Sequence, residues 1–464
     1  MFYNLAINNV TGLEGEELAM FRELIKIFNA HAAKNAAKDK YYEGHVSLRE
    51  VNLGIALPSG LAGLEIGCSW GAKTVDVLAS RSMFDGFVGK DGSDAAEMTA
   101  IMEANRLKAE YMKACRDELK YGCTFATLSQ DDEIGCKIRF HSPQAAAAVW
   151  DGVKGRIGYG MAIIDVERDE QSGSWSPLLI NMHTDTDVWQ IFRVDRDWFA
   201  KRHPHKMGRP LMEPLVYNAT SAKPFGRSRL KEPIRRLIQG YVRTIANATI
   251  GLEFATSPQK YLLGVTDEQY DAVINQKFRQ YVGNIIASTT NPETGEKPSF
   301  GQLTQGSIEP HVQMIRTLAT QFSAATGLTV TDTGVVNDAN PTSSDAILAQ
   351  SQTLVLMAEQ LNAGNADALY VISQMALAIK NNVTLAELDD AQRSVIAHFK
   401  NPAMPSVSVT ADAAIKIASA RSEFAGTDTF LEMIGFDQAD IRRIKAQESR
   451  ARGLAILEEI EAAE

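Results

Sequence analysis

Cysteine is scarce in this chain of 464 residues, with four in all: Cys68, Cys115, Cys123 and Cys136. None forms a C-x-x-C pair or joins a Cys/His cluster, which argues against a disulfide scaffold and a zinc-finger-type site. Buried reduced thiols are expected instead. No uninterrupted apolar run approaches ~18 residues, so no membrane contact through a spanning helix is expected. Met1–Val10 carries neither a basic n-region nor a long apolar h-region, so a signal peptide is not expected there. Excess positive charge is missing too: 47 Lys and Arg stand against 57 Asp and Glu, a formal net charge of −10. General attraction to nucleic acid is thereby excluded, and any DNA contact must be local or non-adhesive. There is no internal repeat and no low-complexity segment. A cytosolic-type soluble chain of about two to four domains is expected.

Recognisable catalytic chemistry is also sparse. Gly67-Cys-Ser-Trp-Gly71-Ala-Lys73-Thr74 has the flavour of a phosphate loop. That loop needs G-x-x-x-x-G-K-[ST], with Lys directly after the last Gly; here Ala72 intervenes and the glycine spacing is one short. His183-Thr-Asp185-Thr-Asp187 could be drawn as a metal site, but residues at i, i+2 and i+4 of a strand share a face without converging on one ion. His203-Pro204-His205 reads as an exposed basic turn. No H-E-x-x-H pair occurs, and no nucleophile elbow is expected. Cofactor, metal and catalytic residues are therefore all assigned as none, and the chain reads as a non-enzyme.

What is present is a pattern of elements. Leu13–Ala37 reads as an amphipathic helix with Leu18, Phe21, Leu24, Ile25 and Phe28 on one face. Trp70–Ala79 begins a second helical stretch that stops at Gly86-Phe87, and Ser93–Tyr121 a third. Beyond Gly122 the texture turns to short strands: Thr124–Leu128, Cys136–Phe140, Met161–Val166, Pro177–Met182, Asp187–Arg193 and Leu211–Tyr217. Ala145–Val149 reads as a local helix among them. Arg227–Ala255 is a basic amphipathic helix carrying Arg227, Arg229, Lys231, Arg235, Arg236 and Arg243. Those cations suit a solvated face or salt bridges between subunits, or equally a positive ring facing phosphates if the helix lines a channel. Pro258–Val265 and Phe300–Gln305 read as strands around a helix at Asp267–Tyr281 and a turn-rich loop at Asn291–Pro298.

The stretch Gly306–Lys380 organises the rest. It reads as a helix, Ile308–Thr326, stopped by Gly327; then a Thr/Asp/Asn/Gly-rich loop, Thr329–Thr342; then a very long Ala-rich helix to about Lys380. Pro341 with Ser343, Ser344 and Asp345 marks the start of that helix, and a soft break is expected at Asn362–Asn365. About 55 Å of helix exceeds what an ordinary core needs. Afterwards Thr384–Phe399 reads as helix, Val407–Val409 as a short strand, and Asp412–Glu464 as helices separated at Gly426 and Gly435.

In order along the chain these pieces resemble the portal proteins of tailed double-stranded DNA bacteriophages, siphophage type. Tyr41-Tyr42-Glu43-Gly44 resembles the family's early Tyr-Tyr-x-Gly turn. Trp70, Val75, Asp76, Leu78, Arg81 and Gly86-Phe87 are similar to its helix ending in Arg and then Gly-Phe. Tyr121-Gly122 followed by strands resembles its wing. Glu213-Pro214-Leu215-Val216 before Gly226-Arg-Ser228-Arg-Leu230 resembles the run into the first stem helix, and Ser257–Tyr261 the start of the clip. Leu328 and the segment up to Asn340–Ala346 resemble the tunnel loop and the head of the tunnel helix. Asn401-Pro402, Ala411–Ala413 and Lys416 are similar to the late return to the wing.

The resemblance implies an α+β portal architecture. Its expected parts are wing 1–224, first stem helix 225–256, clip 257–305, second stem helix 306–327, tunnel loop 328–343, tunnel helix and return 344–410, and helical crown 411–464. It implies a ring of usually twelve copies at one capsid vertex, in the virion and, during assembly, the host cytoplasm. Double-stranded DNA passes through that ring; terminase large subunit, head–tail adaptor, major capsid and scaffold proteins are the implied partners. The channel loop would be Thr329, Thr331, Asp332, Thr333, Val335, Val336, Asn337 and Asp338, acidic and without Lys or Arg, suited to sliding DNA rather than gripping it. Clip contacts to terminase or adaptor would involve Gln276, Lys277, Arg279, Glu293, Glu296 and Lys297. The alternatives are another head–tail structural protein and a nucleotide-binding packaging enzyme built on Gly67–Thr74.

Overall fold

The computed structural model describes residues 5–47, 65–89, 95–168, 175–256, 260–263, 295, 297, 299–302, 307–335, 344–403, 407–436 and 438–461. Its class is α+β: helices with several antiparallel sheets. Helix α1 (Gly15–Glu43) lays Phe21, Leu24, Ile25 and Phe28 on a five-stranded meander. That spacing of i, i+3, i+4 and i+7 is one helix face. The meander is β6 (Ala146–Asp151), β7 (Arg156–Arg168), β8 (Trp175–His183), β9 (Asp187–Val194) and β10 (Asp197–Pro204), each paired with the next. At its open edge Thr11 exchanges backbone hydrogen bonds with Trp198 and Ala200, 2.8 Å each, which covers part of an otherwise bare strand.

A second body surrounds α2 (Trp70–Ala79), α3 (Ala96–Ala104) and α4 (Leu107–Tyr121), with the sheet formed by β4 (Cys123–Asp131), β5 (Gly135–His141) and β11 (Met212–Val216). The same core takes in α5 (Glu232–Thr256), α6 (Glu309–Thr326) and α7 (Ser344–Asn381). Short ladders close the structure: β1 (His45–Ser47) with β2 (Glu65–Gly67), and β12 (Lys260–Leu263) with β13 (Ser299–Gln302). After α7 come α8 (Asp390–Arg393) and β14 (Val395–Phe399), which pairs with β3 (Phe84–Gly89). The chain ends in α9 (Val407–Ala420), α10 (Asp428–Met433) and α11 (Gln438–Glu461).

Several expected elements differ. Where a helix over Ala145–Val149 is expected, Ala145 ends a turn and Ala146–Val149 is strand: Ala146, Ala147 and Ala148 pair with β7 and fit against α1 and Met212, so tertiary packing overrides helix propensity. The helix expected over Ser93–Tyr121 is two helices. Asn105 closes the first helix: its backbone N–H still donates to Ile101 O, its side-chain Nδ2 donates to Ile101 O and Cys136 O, its Oδ1 accepts from Ile138 N, and Arg106 turns left-handed at φ 51°. Gly86-Phe87 lies in a strand rather than at a helix end.

Thr384–Phe399 is not one helix either: it holds only a 3-10 turn, Leu385–Glu387, and the short α8. Thr384/Glu387 and Asp389/Gln392 form two successive capping boxes, and Val395 onward is strand. Val407–Val409 opens a helix instead of forming a strand, carried by the Ala-rich residues that follow. The soft break in the long helix is absent: α7 runs through Asn362–Asn365 without interruption. His203 and Pro204 close a strand rather than forming a turn. The expected helix at Asp267–Tyr281 lies outside the described residues.

Candidate stem and channel-loop site

Helix α5 begins at Glu232, with Pro233 in its first turn, where a missing N–H costs nothing. The six residues before it, Gly226–Lys231, are a docking strap. Gly226 sits at φ +65°, and a Cβ there would lie 2.2 Å from the Tyr217 carbonyl. Ser228 Oγ donates to Lys120 O at 2.6 Å and Arg229 N to Leu119 O at 2.8 Å, so Gly226-x-Ser228 seats on the end of α4.

Arg229, expected among the stem cations, is buried at 4% exposure. Its Nε donates to Thr74 O, its Nη1 to Tyr217 Oη at 3.1 Å, and its Nη2 to Thr326 O at 2.5 Å, with Met357 Sδ at 3.5 Å. One guanidinium thus joins α2, the loop after β11, the end of α6 and the side of α7. Arg235 lies 5.6 Å from the centre of the Tyr41 ring, a cation–π contact, and Arg236 pairs with Glu232 one turn earlier. Arg227 and Lys231 are exposed and Arg243 half-buried. The six cations are therefore divided between a buried tie, a ring contact and open surface, and do not form one row.

Helices α5 and α6 approach closely at Gly240, where a Cβ would be 3.3 Å from Leu318 Cδ2. Trp70, 2% exposed, fits beside both: its ring centre is 4.3 Å from Tyr241 and 4.6 Å from Phe322. Its Nε1–H donates to Thr333 O at 3.1 Å, in the loop that follows α6. Gly327 ends α6 at φ 73°, with Met357 Cε 3.2 Å from its virtual Cβ.

The loop then folds on itself. Asp332 Oδ2 accepts from Thr329 N at 2.9 Å and Thr329 Oγ1 at 2.8 Å, around a short 3-10 turn, Thr331–Thr333. Val335 packs on the main core, while Val336, Asn337 and Asp338 lie outside the described residues. So do Gln276, Lys277, Arg279, Glu293 and Glu296 of the expected clip; Lys297 is exposed.

The near-match to a phosphate loop has another purpose. Gly71 lies inside α2 where a Cβ would be 1.8 Å from Tyr41 O, so glycine there permits the α1–α2 contact. Thr74 is buried and bonds back to Trp70 O. Contrary to the expectation of no elbow, Gly67-Cys68-Ser69-Trp70-Gly71 does match G-x-S-x-G, between a strand and a helix. Ser69, however, has relaxed helical dihedrals, φ −78° and ψ −2°, where an elbow is strained, and no histidine bonds to it among the described residues. Asp187 is engaged by both Arg202 Nε at 2.7 Å and Nη2 at 2.9 Å, and Asp185 by Lys154 and Arg156. Among the described residues no group of three or more His, Cys, Asp or Glu is placed to hold a metal. All four cysteines are buried free thiols, and burial pushes Cys68 up to about 11. No described helix is long and apolar enough to cross a membrane.

Missed by sequence reasoning is a buried polar group under the long helix. Asn365 Nδ2 donates to Tyr111 Oη and to Glu118 Oε2, both at 2.8 Å. Burial pushes the Glu118 carboxyl up to about 8, so it is largely protonated at neutral pH. The run Asn362–Asn365 suggests only a soft break from sequence; that Asn365 turns inward to Tyr111 and Glu118 depends on partners distant in the chain.

Residues 22–453 match the model of the family described as phage portal protein, SPP1 Gp6-like. The chain belongs to this portal family. No curated protein sequence matches it. Among solved structures, a chain from the neck of an empty gene transfer agent (GTA) particle, computed with C6 symmetry, is 12% identical. It covers 77% of this chain and 86% of its own, with a TM-score of 0.45. A chain from the neck of the native GTA particle, computed with C12 symmetry, is 11% identical, covers 79% and 89%, and has a TM-score of 0.44. A chain from the virion of the native particle is likewise 11% identical, with 79% and 89% coverage and a TM-score of 0.42.

Proposed function

We propose that this portal-family chain assembles into a closed ring, of about twelve copies, at one vertex of a phage-type capsid. The ring is the conduit through which double-stranded DNA enters under the terminase motor, is retained and later leaves. It also offers the docking face for a head–tail adaptor, within a shell of capsid and scaffold proteins. The observation that carries this reading is the order α5, β12–β13 ladder, α6, loop, α7 inside a family match covering most of the chain. In this reading α5 and α6 are stems, the residues between them project towards terminase and adaptor, and Thr329–Thr342 faces the lumen. A loop rich in Thr and Asp without Lys or Arg repels phosphate and lets DNA slide.

The test is a deletion of Val335–Ala339 in the intact assembly system. Rings should form as before while packaging or retention of DNA falls. Loss of ring formation would contradict the lumen assignment, and unimpaired packaging would remove the loop's role.

A further inference from the structure

Between α1, the junction of α4 and β4, β6 and the segment Lys223–Ser228 lies a cleft of about 360 Å³. That is at the small end of ordinary small-molecule sites, which run from about 300 to 1,000 Å³. Phe28, Phe125 and Ala146–Ala148 form its buried floor. The walls within reach of a ligand are apolar as well, with Ile27, Pro143, Pro224 and Phe225 each half-buried. The Phe225 ring centre lies 5.7 Å from those of both Phe125 and Trp150, edge to face, so this wall is preset rather than free to swing.

One charged side chain reaches the inner wall. Lys38 is half-buried, and its Nζ donates to Tyr121 O at 2.8 Å and to Asn35 Oδ1 at 3.4 Å. An ammonium has three donors, so one is left over. No carboxylate lines the cleft, and Lys38 has no ion pair among the described residues. Asp39, next in the chain, is engaged by Lys120 and by Tyr121 Oη. Burial first, then Arg235 and Lys34 against the opposing pull of the Cys123 thiol, pushes Lys38 down to about 8. The mouth carries His31, Lys223 and Arg227, all exposed and none acidic. A desolvated cation without a counter-charge is what a single carboxylate completes.

We propose that this cleft binds a small monocarboxylate with an apolar body. The carboxylate accepts from the remaining donor of Lys38, and the body lies against Ile27, Pro143, Pro224 and Phe225. One ammonium matches one negative charge. A phosphate dianion would bring a second charge that apolar walls leave unsolvated. An alcohol with the same body would leave Lys38 without a counter-charge, and an amine would set cation against cation.

The experiment is calorimetric titration of the purified full-length protein with octanoate, octanol, octylamine and acetate. Octanoate should bind saturably at one site per chain, with octanol weaker by about tenfold, ~1.4 kcal/mol. Octylamine lacks the charge and acetate lacks the body, so neither should give saturable heat. Octanoate should also protect Lys38 from an amine-labelling reagent, read by peptide mass spectrometry, while exposed Lys73 labels as before. Lys38→Met keeps the stem and loses the ammonium, so octanoate should fall to the octanol level; Lys38→Arg should keep the preference. The ligand series and the labelling use the parent chain and need no folded variant. No saturable octanoate heat, equal affinity for octanol, or Lys38 labelling unchanged by octanoate overturns the site.

Discussion

The guanidinium of Arg229 donates to the backbone carbonyl of Thr326, 97 residues further along, at 2.5 Å. That bond fixes the start of α5 to the finish of α6, so the outward and returning helices share one buried anchor. The same group reaches Thr74 O and Tyr217 Oη. Arg229→Ala would leave these acceptors buried and unpaired, and should lower unfolding free energy by about 3 kcal/mol or more. Arg229→Lys should recover little, since an ammonium cannot span the fork. Arg236→Ala, an exposed cation on the same helix, should stay within about 0.5 kcal/mol. Urea unfolding of the three variants checks the ranking.

Trp70 tells packing from positioning. Trp70→Phe keeps a ring against Tyr241 and Phe322 but removes the N–H that holds Thr333 O. A cost of about 1 kcal/mol is expected, with faster amide exchange over Val330–Gly334 and unchanged exchange in α4. Trp70→Ala also opens a cavity and should cost about 3–5 kcal/mol.

Gly71 separates a nucleotide site from a helix contact. Gly71→Ala drives a methyl into the Tyr41 carbonyl, 1.8 Å away, and should destabilise by about 3 kcal/mol. Exposed Lys73→Ala should be neutral within about 0.5 kcal/mol. Saturable ATP binding lost in Lys73→Ala would revive the packaging-enzyme alternative.

Glu118 gives a pH signature. Its carboxyl is raised from 4.5 to about 8 by burial, so the folded state holds a proton that the unfolded state releases in between. Stability from this group is complete below about pH 4.5 and is lost as pH rises through about 8. Glu118→Gln keeps a neutral partner for Asn365 and should melt higher than the parent above pH 7, with the difference vanishing near pH 4. Thermal melts across that range decide it.

Much of the architecture was legible because its signals are local. Leu24, Ile25 and Phe28 recur at helical spacing in α1, Gly327 stops α6, and short runs between turn residues mark β7, β8 and β9 of the meander. What escaped depends on distant partners. Ala146–Ala148 became strand through β7, Asn105 broke a helix to reach β5, and Arg229 turned inward because Thr74 and Thr326 meet there. Charge alone marked Arg229 as surface; its three acceptors come from segments that only folding brings together.

The most direct measurement is the mass and symmetry of the purified protein, by native mass spectrometry with electron-microscope class averages. The account predicts a closed ring of about twelve chains around an open channel. A monomer or dimer at micromolar concentration, persisting under every assembly condition, would contradict it.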